Sequence, residues 1–432
     1  MKILLTGARI IDPAQKTDSH LDILLEDGKI AKTGTQLAKS TRSKDADNIT
    51  KIIDLDGMIL VPGLIDMHTH LREPGFEYKE TIASGTAAAV AGGFTSIACM
   101  PNTDPINDNR SITEFIRRKA AEADLANVYP IGAISKESAG SQLTEFWDLK
   151  EAGIVALSDD GKPVMNAALM RRAMEYAYSL QLPVISHCED IHLSANGVMN
   201  EGYYSTILGL NGIPSIAEEA MVARDILIAE FTKTAVHIAH VSTAGSVHLI
   251  RDAKARGLKV TAETAPHYFT LTDEALQSYD TNFKINPPLR SEKDVQAIQE
   301  GLADGTIDVI ACDHAPHGRT DKEVEFEYAA NGISGLETSL GLSLNLISSK
   351  TLTWPELITR MSLNPARILN LPKGTLEAGA DADITVIDPQ LKWIVDVQAF
   401  RSRGKNSPFN GRPMQGKAIL TIVGGEIKYD GR

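Results

Sequence analysis

The sequence predicts an α/β protein: a (β/α)8 TIM-like barrel with a small β-sandwich built from both chain ends. Short apolar runs alternate with helical segments through the middle of the chain, whereas the two ends contain strand patterns without helices. Histidines and an aspartate stand at the ends of several apolar runs, as expected of a barrel active site. At 432 residues, 43% of them hydrophobic, the chain is long enough for both parts.

Short strands separated by turn residues characterise both ends of the chain. Asp-Gly pairs at 27–28 and 56–57 follow apolar runs and indicate hairpin turns. The strand candidates are 2–5, 21–26 and 52–55 and, near the C-terminus, 383–387, 418–423 and 426–429. Because neither set forms a good core by itself, we expect one sandwich domain from residues 1–57 and 372–432.

Residues 58–371 are predicted to form the barrel, because strands and helices alternate there as in successive βα units. Helical periodicity fills the gaps between strands, for example at 166–180 and 216–231. The strand candidates are 59–70, 95–100, 128–134, 154–158, 182–187, 235–240, 259–263 and 308–312. Eight strands fit a closed barrel, with functional residues at their C-terminal ends.

The composition points to a small-molecule partner. A formal net charge of −13 disfavours non-specific binding to nucleic acid or anionic membranes. The N-terminal apolar stretch is too short for a signal peptide, and no window approaches about 18 apolar residues, so no membrane span is expected. Cys99, Cys188 and Cys312 lack paired spacing, which predicts buried free thiols in a cytoplasmic protein.

A set of metal-binding side chains is predicted at the strand ends. His68 and His70 are two residues apart on an extended strand, so both imidazoles point to the same side. His187, His240 and Asp313 each end a later apolar run. Imidazole and carboxylate ligands suit Zn²⁺, and also Mn²⁺ or Co²⁺.

Four histidines and one aspartate exceed the needs of one zinc ion, so a second ion and a bridging group are expected. The bridging candidate lies at the end of the fourth strand, where either Asp159 or Asp160 can supply a carboxylate. An ordinary turn, in which both aspartates accept backbone hydrogen bonds, is the alternative.

Several motifs, taken as a set, resemble the bacterial dihydroorotases of the amidohydrolase superfamily. The resemblance covers almost the whole chain, including the split sandwich. The matching segments are HTHLREPG at 68–75, MPNT at 100–103, SDDG at 158–161, HCED at 187–190, HVST at 240–243, NPPLR at 286–290 and DHAPH at 313–317.

The resemblance implies a site with two zinc ions. It assigns His68, His70 and Asp313 to one ion, His187 and His240 to the other, and Asp160 to a position bridging both. Many relatives bridge with a carboxylated lysine, but Lys150 and Lys162 lie outside the expected position. The chain therefore matches the branch that uses aspartate.

The resemblance also implies the reversible cyclisation of N-carbamoyl-L-aspartate to L-dihydroorotate in pyrimidine synthesis. Arg72 has the same strand parity as His70 and offers a bidentate fork for a carboxylate. By resemblance, Asn102 and His317 join Arg72 around the substrate carboxylate, and Asn286 holds the edge of the ring. Asp313 would act as base and then acid, passing a proton to the departing ring nitrogen.

Other polar residues near the motifs are given lesser roles. His237 lies three residues before His240, so on a regular strand it faces the opposite side and is assigned to packing. His314 and His267 are expected to support the site or fill the core. Glu189 and Asp190 have no assigned role.

Two other functions compete with this interpretation. A hydantoinase or allantoinase would use the same scaffold, but Arg72 beside the histidine pair and the lack of an evident bridging lysine favour dihydroorotase. A catalytically silent scaffold subunit of aspartate transcarbamoylase would have lost metal ligands, whereas every expected ligand is present. The expected assembly is a homodimer, with aspartate transcarbamoylase as a candidate partner.

Overall fold

The computed structural model describes residues 2–37 and 50–432 and has a parallel eight-stranded sheet within them. Each strand pairs with the next along the chain, as the sequence predicts for a barrel. The strands are Leu64–Thr69, Phe94–Cys99, Asn127–Gly132, Ala156–Leu157, Val184–Ser186, Val236–Ile238, Val260–Thr264 and Val309–Ile310. The predicted fold class is confirmed.

The first and eighth strands meet at their ends and bring the sheet close to a closed barrel. Thr69 forms a parallel bridge with His314, and the backbone N–H of His70 donates to the carbonyl of His314 at 2.8 Å. Deeper in the barrel, the Asp66 carboxylate accepts the backbone N–H of Cys312 at 2.9 Å. A side chain thus completes hydrogen bonding where the ladder is interrupted.

The predicted single strand 59–70 is wrong, because two strands occupy this stretch. Ile59–Pro62 belongs to a sandwich sheet, and the barrel strand begins at Leu64. Gly63 joins them, and a Cβ there would lie 2.0 Å from the Thr95 hydroxyl oxygen. Only glycine allows this approach. The division into 1–57 plus 372–432 and 58–371 stays a prediction, and this pairing favours a boundary near Gly63.

Strands from both chain ends form the two sheets of the sandwich. One sheet has the order Lys29–Gly34, Asp22–Glu26, Lys2–Thr6, Lys51–Asp54. The other has the order Glu426–Asp430, Pro413–Val423, Ile384–Ile394, Ile59–Pro62, Arg9–Asp12, Thr17–His20. The two sheets share one buried hydrophobic core, which includes Leu5, Leu25, Leu60, Val386 and Leu420. The two ends therefore meet as the sequence predicts.

Each barrel strand is followed by a helix that covers the sheet. The helices are Ile82–Gly92, Arg110–Ala123, Phe146–Ala152, Ala167–Ser179, Ile216–Thr232, Ala244–Ala255, Glu292–Asp304 and Leu336–Ser343. Shorter α-helices are Ile191–Ser194, Tyr203–Leu208, Arg319–Lys322, Asn345–Ser348, Trp354–Ile358 and Asn364–Ile368. In the described part of the chain, no helix is long and apolar enough to cross a membrane.

Candidate metal and substrate site

Two histidines at the end of the first strand meet two aspartates that follow distant strands at the barrel mouth. His68 Nε2 lies 3.3 Å from Asp160 Oδ1 and 3.4 Å from Asp313 Oδ1. His70 Nε2 lies 3.0 Å from Asp313 Oδ1 and 3.5 Å from Asp160 Oδ2. Four ligands of a tetrahedral zinc site, each about 2.1 Å from the ion, would be separated by about 3.4 Å. The four observed separations, 3.0–3.5 Å, lie near that value.

A second pair of histidines approaches the same Asp160 carboxylate. His187 Nδ1 lies 3.6 Å and His240 Nε2 3.4 Å from Asp160 Oδ1, and the two nitrogens are 2.7 Å apart. Asp160 thus belongs to two groups of potential ligands. Asp159 instead accepts the backbone N–H of Ser135 at 3.0 Å and the Ser135 hydroxyl. Of the two aspartates, Asp160 is the one between the histidine pairs.

The polar atoms of this cluster fit a cation. Among the described residues, His68 Nε2 and Asp160 Oδ1 are buried and have no hydrogen-bond partner. Burial by itself would lower the pKa of His68, but Asp160, Asp313 and Glu263 outweigh it and raise that pKa well above its ordinary value. A place that favours positive charge and presents unpaired donor atoms suits a divalent metal ion.

Three residues at the site have left-handed backbone conformations. The φ angles are 62° at Arg72, 34° at His240 and 48° at Asp313. Such conformations cost a non-glycine residue about 1–3 kcal/mol and cluster at functional sites. Here each residue lies just beyond a barrel strand, where the turned backbone breaks the strict alternation of side chains.

Glu263 and His237 extend the cluster beneath the predicted ligands. Glu263 Oε1 lies 2.5 Å from His68 Nδ1, and its Oε2 lies 3.3 Å from His237 Nε2. Burial would raise the pKa of Glu263, but His68 and His237 outweigh it and lower the value to about 2. An ionised carboxylate on Nδ1 leaves Nε2 free to bind metal.

The prediction that His237 only packs is therefore incomplete. It assumes a regular strand through His240, whereas the strand ends at Ile238 and His240 is left-handed. Sequence reasoning also missed Glu263, although Glu263 ends the seventh strand candidate as the predicted ligands end theirs. The same strand-end signal could have identified it.

Glu189 joins the second histidine pair to Asn286. Its Oε2 lies 3.0 Å from His187 Nε2 and accepts from Asn286 Nδ2 at 2.9 Å. Burial would raise the pKa of Glu189, but His187 outweighs this effect and lowers the pKa to about 2. The sequence assigns no role to Glu189. In the structure it contacts Nε2 of His187, while Nδ1 of the same ring faces Asp160.

The predicted carboxylate-binding residues lie beside the cluster. The His70 Nδ1 lies 2.9 Å from Asn102 Oδ1, so Asn102 contacts the first histidine pair directly. Arg72 Nε donates to the Pro316 carbonyl at 3.2 Å, and its Nη2 lies 3.4 Å from His317 Nε2. Burial lowers the pKa of Arg72 to about 10, so its guanidinium stays charged at neutral pH.

Both ring nitrogens of His317 have partners in the protein. Lys79 Nζ, which can only donate, lies 3.3 Å from His317 Nδ1, so Nε2 carries the hydrogen and donates to the Asn331 carbonyl at 2.8 Å. Burial, with Arg72 and Lys79 nearby, lowers the pKa of His317 to about 2 and keeps it neutral. Lys79, which sequence reasoning missed, therefore adds a second cation to this corner.

Comparisons with known proteins agree with the motifs. Residues 57–246 match the family model described as dihydro-orotase-like, and residues 214–429 match that of the amidohydrolase family. The dihydroorotase of Syntrophus aciditrophicus (strain SB) is 63% identical over 429 residues, which cover 99% of each chain. The chain belongs to the dihydroorotase family. Another member, from Pelotomaculum thermopropionicum, is 57% identical over 433 residues, covering 100% of this chain and 99% of that one.

Solved structures support the barrel architecture of this dihydroorotase-family chain. The L-hydantoinase (dihydropyrimidinase) from Arthrobacter aurescens superposes with a TM-score of 0.87 at 25% identity, covering 99% of this chain and 96% of that one. A D-hydantoinase from Thermus sp. gives a TM-score of 0.82 at 23% identity, covering 100% and 96%. The fold is thus shared with hydantoinases, while the much higher sequence identity is to dihydroorotases.

Proposed function

We propose that this protein is a zinc-dependent dihydroorotase that interconverts N-carbamoyl-L-aspartate and L-dihydroorotate in pyrimidine synthesis. The observation that best supports this proposal is the position of Asp160 between two histidine pairs, His68 with His70 and His187 with His240. An aspartate in that position fits the branch of dihydroorotases that uses aspartate, and not a carboxylated lysine, to bridge the two metal ions. The hydantoinase and allantoinase alternatives are not favoured, because the full-length relatives at 54–63% identity are dihydroorotases.

Two zinc ions are the proposed occupants of the cluster. His68, His70 and Asp313 would hold one, His187 and His240 the other, and Asp160 both. Bound zinc lowers the pKa of water and polarises a carbonyl oxygen, which makes hydrolysis of a cyclic amide feasible near neutral pH. Glu263 and Glu189 support this assignment, since each fixes one histidine through its other ring nitrogen.

Asp313 is the proposed general base and acid. Burial would raise its pKa, but His68 and His70 outweigh burial and hold it below its ordinary value, so the carboxylate is ionised at neutral pH. In the hydrolytic direction Asp313 takes the proton of the attacking water and then gives it to the departing ring nitrogen. The reverse sequence closes the ring.

The substrate carboxylate is proposed to bind Arg72, with Asn102 and His317 beside it. Arg72 retains its charge and a planar fork suited to a carboxylate. Lys79 strengthens the positive potential there, although the chain as a whole is acidic. Asn286, tied to Glu189, is proposed to hold the edge of the ring.

The test is to assay purified protein with dihydroorotate, hydantoin and allantoin while measuring its bound metals. We expect turnover of dihydroorotate with about two zinc ions per chain, and little turnover of the other compounds. Faster hydrolysis of hydantoin or allantoin would favour the alternative enzymes. No turnover by fully metallated protein would favour a silent scaffold subunit.

We also propose a cytoplasmic homodimer that can associate with aspartate transcarbamoylase. Cys99, Cys188 and Cys312 are free and buried, which supports a reducing compartment. The proposed assembly rests on family resemblance. Sedimentation of the protein with and without aspartate transcarbamoylase tests both parts of it.

A further inference from the structure

The side-chain amide of Asn406 forms four hydrogen bonds, all of them to the segment that contains His317. Its Nδ2 donates to the carbonyls of Ala315 at 3.1 Å and Gly332 at 2.9 Å. Its Oδ1 accepts the backbone N–H of His317 and the hydroxyl of Ser334, both at 2.9 Å. The residue is 4% exposed. The two hydrogen bonds that the amide donates and the two that it accepts thus tie together the two ends of residues 315–334.

The backbone around Asn406 packs equally closely on that segment. The N–H of Ser334 donates to the Asn406 carbonyl at 2.8 Å. A Cβ at Gly404 would lie 2.5 Å from Pro316 Cβ, and one at Gly332 would lie 2.6 Å from Ala315 Cβ. Real Cβ atoms do not approach this closely, so glycine is needed at 404 for the contact with Pro316 and at 332 for the contact with Ala315 inside the segment.

The tied segment in turn fixes the cationic corner of the site. The Pro316 carbonyl accepts from Arg72 Nε at 3.2 Å, and the His317 ring accepts from Lys79. Residues 315–317 are therefore held by Asn406 on one side and hold Arg72 and Lys79 on the other. Asn406 lies in the excursion between the sandwich strands Ile384–Ile394 and Pro413–Val423.

We propose that Asn406 is a positioning residue that sets the orientation of Arg72 toward the substrate carboxylate. It acts through the backbone of residues 315–317, and the inference rests on the proposed function of Arg72. An amide is required, because aspartate has no N–H for the Ala315 and Gly332 carbonyls and alanine leaves four groups unpaired. Through Asn406, the sandwich excursion contributes a positioning residue to the site in the barrel.

The kinetic test compares Asn406→Ala and Asn406→Asp with Asn410→Ala. Asn410 lies in the same excursion, but it is exposed and its Oδ1 accepts from the Val397 N–H at 3.1 Å. We expect the Asn406 variants to raise KM for dihydroorotate about tenfold, with kcat within about threefold and metal content unchanged. The reason is that Arg72 would bind the substrate carboxylate more weakly in the ground state and in the transition state alike. Asn410→Ala should match the wild type. A fall in kcat or metal content at unchanged KM, or equal effects at both asparagines, would overturn the proposal.

Gly404→Ala covers the case in which the Asn406 variants do not fold. Its new Cβ would push on Pro316 from the same side, so the same rise in KM is expected while Asn406 is intact. An unchanged KM in a folded Gly404→Ala protein would count against the proposal.

Hydrogen exchange provides a readout that needs no substrate. The amide of His317, which donates to the Asn406 side chain, should exchange faster in Asn406→Ala or Gly404→Ala and not in Asn410→Ala. Unchanged exchange would overturn the positioning role even in an active enzyme. Conversely, a wild type inactive on dihydroorotate would overturn the proposed function and leave the exchange result standing.

Discussion

Individual side chains at the barrel mouth owe their charge states to their neighbours. Burial would raise the pKa of Asp160, but His68, His187 and His240 outweigh it and hold the value well below normal. Burial would likewise lower the pKa of His187, yet Asp160 and Glu189 raise it to about 10. Opposite charges thus stabilise one another in a buried place. Replacing one residue therefore changes the electrostatics of the whole cluster.

Replacement of Arg72 tests the identity of the substrate. Arg72→Met should keep fold and metal but lower kcat/KM for dihydroorotate about 100-fold or more, because a carboxylate without its bidentate partner loses a few kcal/mol. Steady-state kinetics with metal analysis measures this. Arg118→Met, at a position 65% exposed, is the control and should be silent. A near-normal rate of Arg72→Met at low substrate would contradict the assignment.

Replacement of Asp313 separates proton transfer from binding. Asp313→Asn keeps the shape and an oxygen atom but removes the proton acceptor, so turnover should collapse much more than substrate binding. Metal content must be measured on the same sample, because Asp313 is also a proposed ligand. A variant that keeps about a tenth of the turnover with full metal would exclude Asp313 as the essential base.

At the scale of elements, the strand ends decide which side chains reach the site. The fourth strand is Ala156–Leu157, and the residues after it turn two adjacent aspartates in different directions. Asp160 lies among the histidines, and Asp159 is held by Ser135. Lys150 lies on helix Phe146–Ala152 with Nζ donating to the Leu180 carbonyl at 2.7 Å. This geometry supports an aspartate bridge.

The two aspartates should respond differently to replacement. Asp160→Ala should weaken the second metal site more than the first, because His187 and His240 would then be the proposed ligands left to it, whereas three remain at the first. Asp159→Ala should do much less. Zinc titration and metal analysis of both variants measure the effect. A more damaging Asp159→Ala would make the bridge assignment wrong.

The aspartate bridge also predicts independence from carbon dioxide. A carboxylated lysine forms from CO₂ and can be lost, whereas an aspartate is always present. Metal reconstitution should therefore give the same activity with and without bicarbonate. Native mass spectrometry showing carboxylated Lys150 or Lys162 would contradict this prediction.

At the scale of the whole molecule, the sandwich and the barrel are joined by more than a linker. Both chain ends pair in one sheet, and the strand Ile59–Pro62 of that sheet leads directly through Gly63 into the barrel strand Leu64–Thr69, which contains His68 and ends just before His70. The later excursion at residues 395–412 reaches back to the barrel mouth through Asn406. Proposed ligands and their supports thus come from positions between His68 and Asn406.

The overall reaction should respond to pH independently of the fold. N-carbamoyl-L-aspartate has two carboxylates and dihydroorotate has one, so ring closure consumes a proton and acid should favour cyclisation. Equilibrium mixtures, reached from both directions at several pH values, measure the ratio. An unchanged ratio across about two pH units would mean that the substrate pair is wrong, since each unit should change it about tenfold.

The sequence by itself determined the barrel, the split sandwich and the residue types at the strand ends. These follow from local periodicity and from the rule that barrel sites lie at the C-terminal ends of strands. Tertiary structure decided which way each side chain turns. The alternation rule fails at His240 because its backbone is left-handed. The strand candidate 59–70 divides at Gly63 because its first part pairs with sandwich strands and its second part with the barrel.

The partners of buried polar groups were likewise decided by tertiary structure. Glu263 meets His68 across 195 residues of sequence, and Asn406 meets His317 across 89. No local pattern encodes such pairings, because they depend on how distant strands and excursions pack. A buried carboxylate or amide must nevertheless find a partner, since leaving it unpaired costs about 1–3 kcal/mol. That requirement made the roles of Glu189 and Asn406 recognisable only once the chain was folded, whereas Glu263 carried a strand-end signal and only its histidine partners depended on the fold.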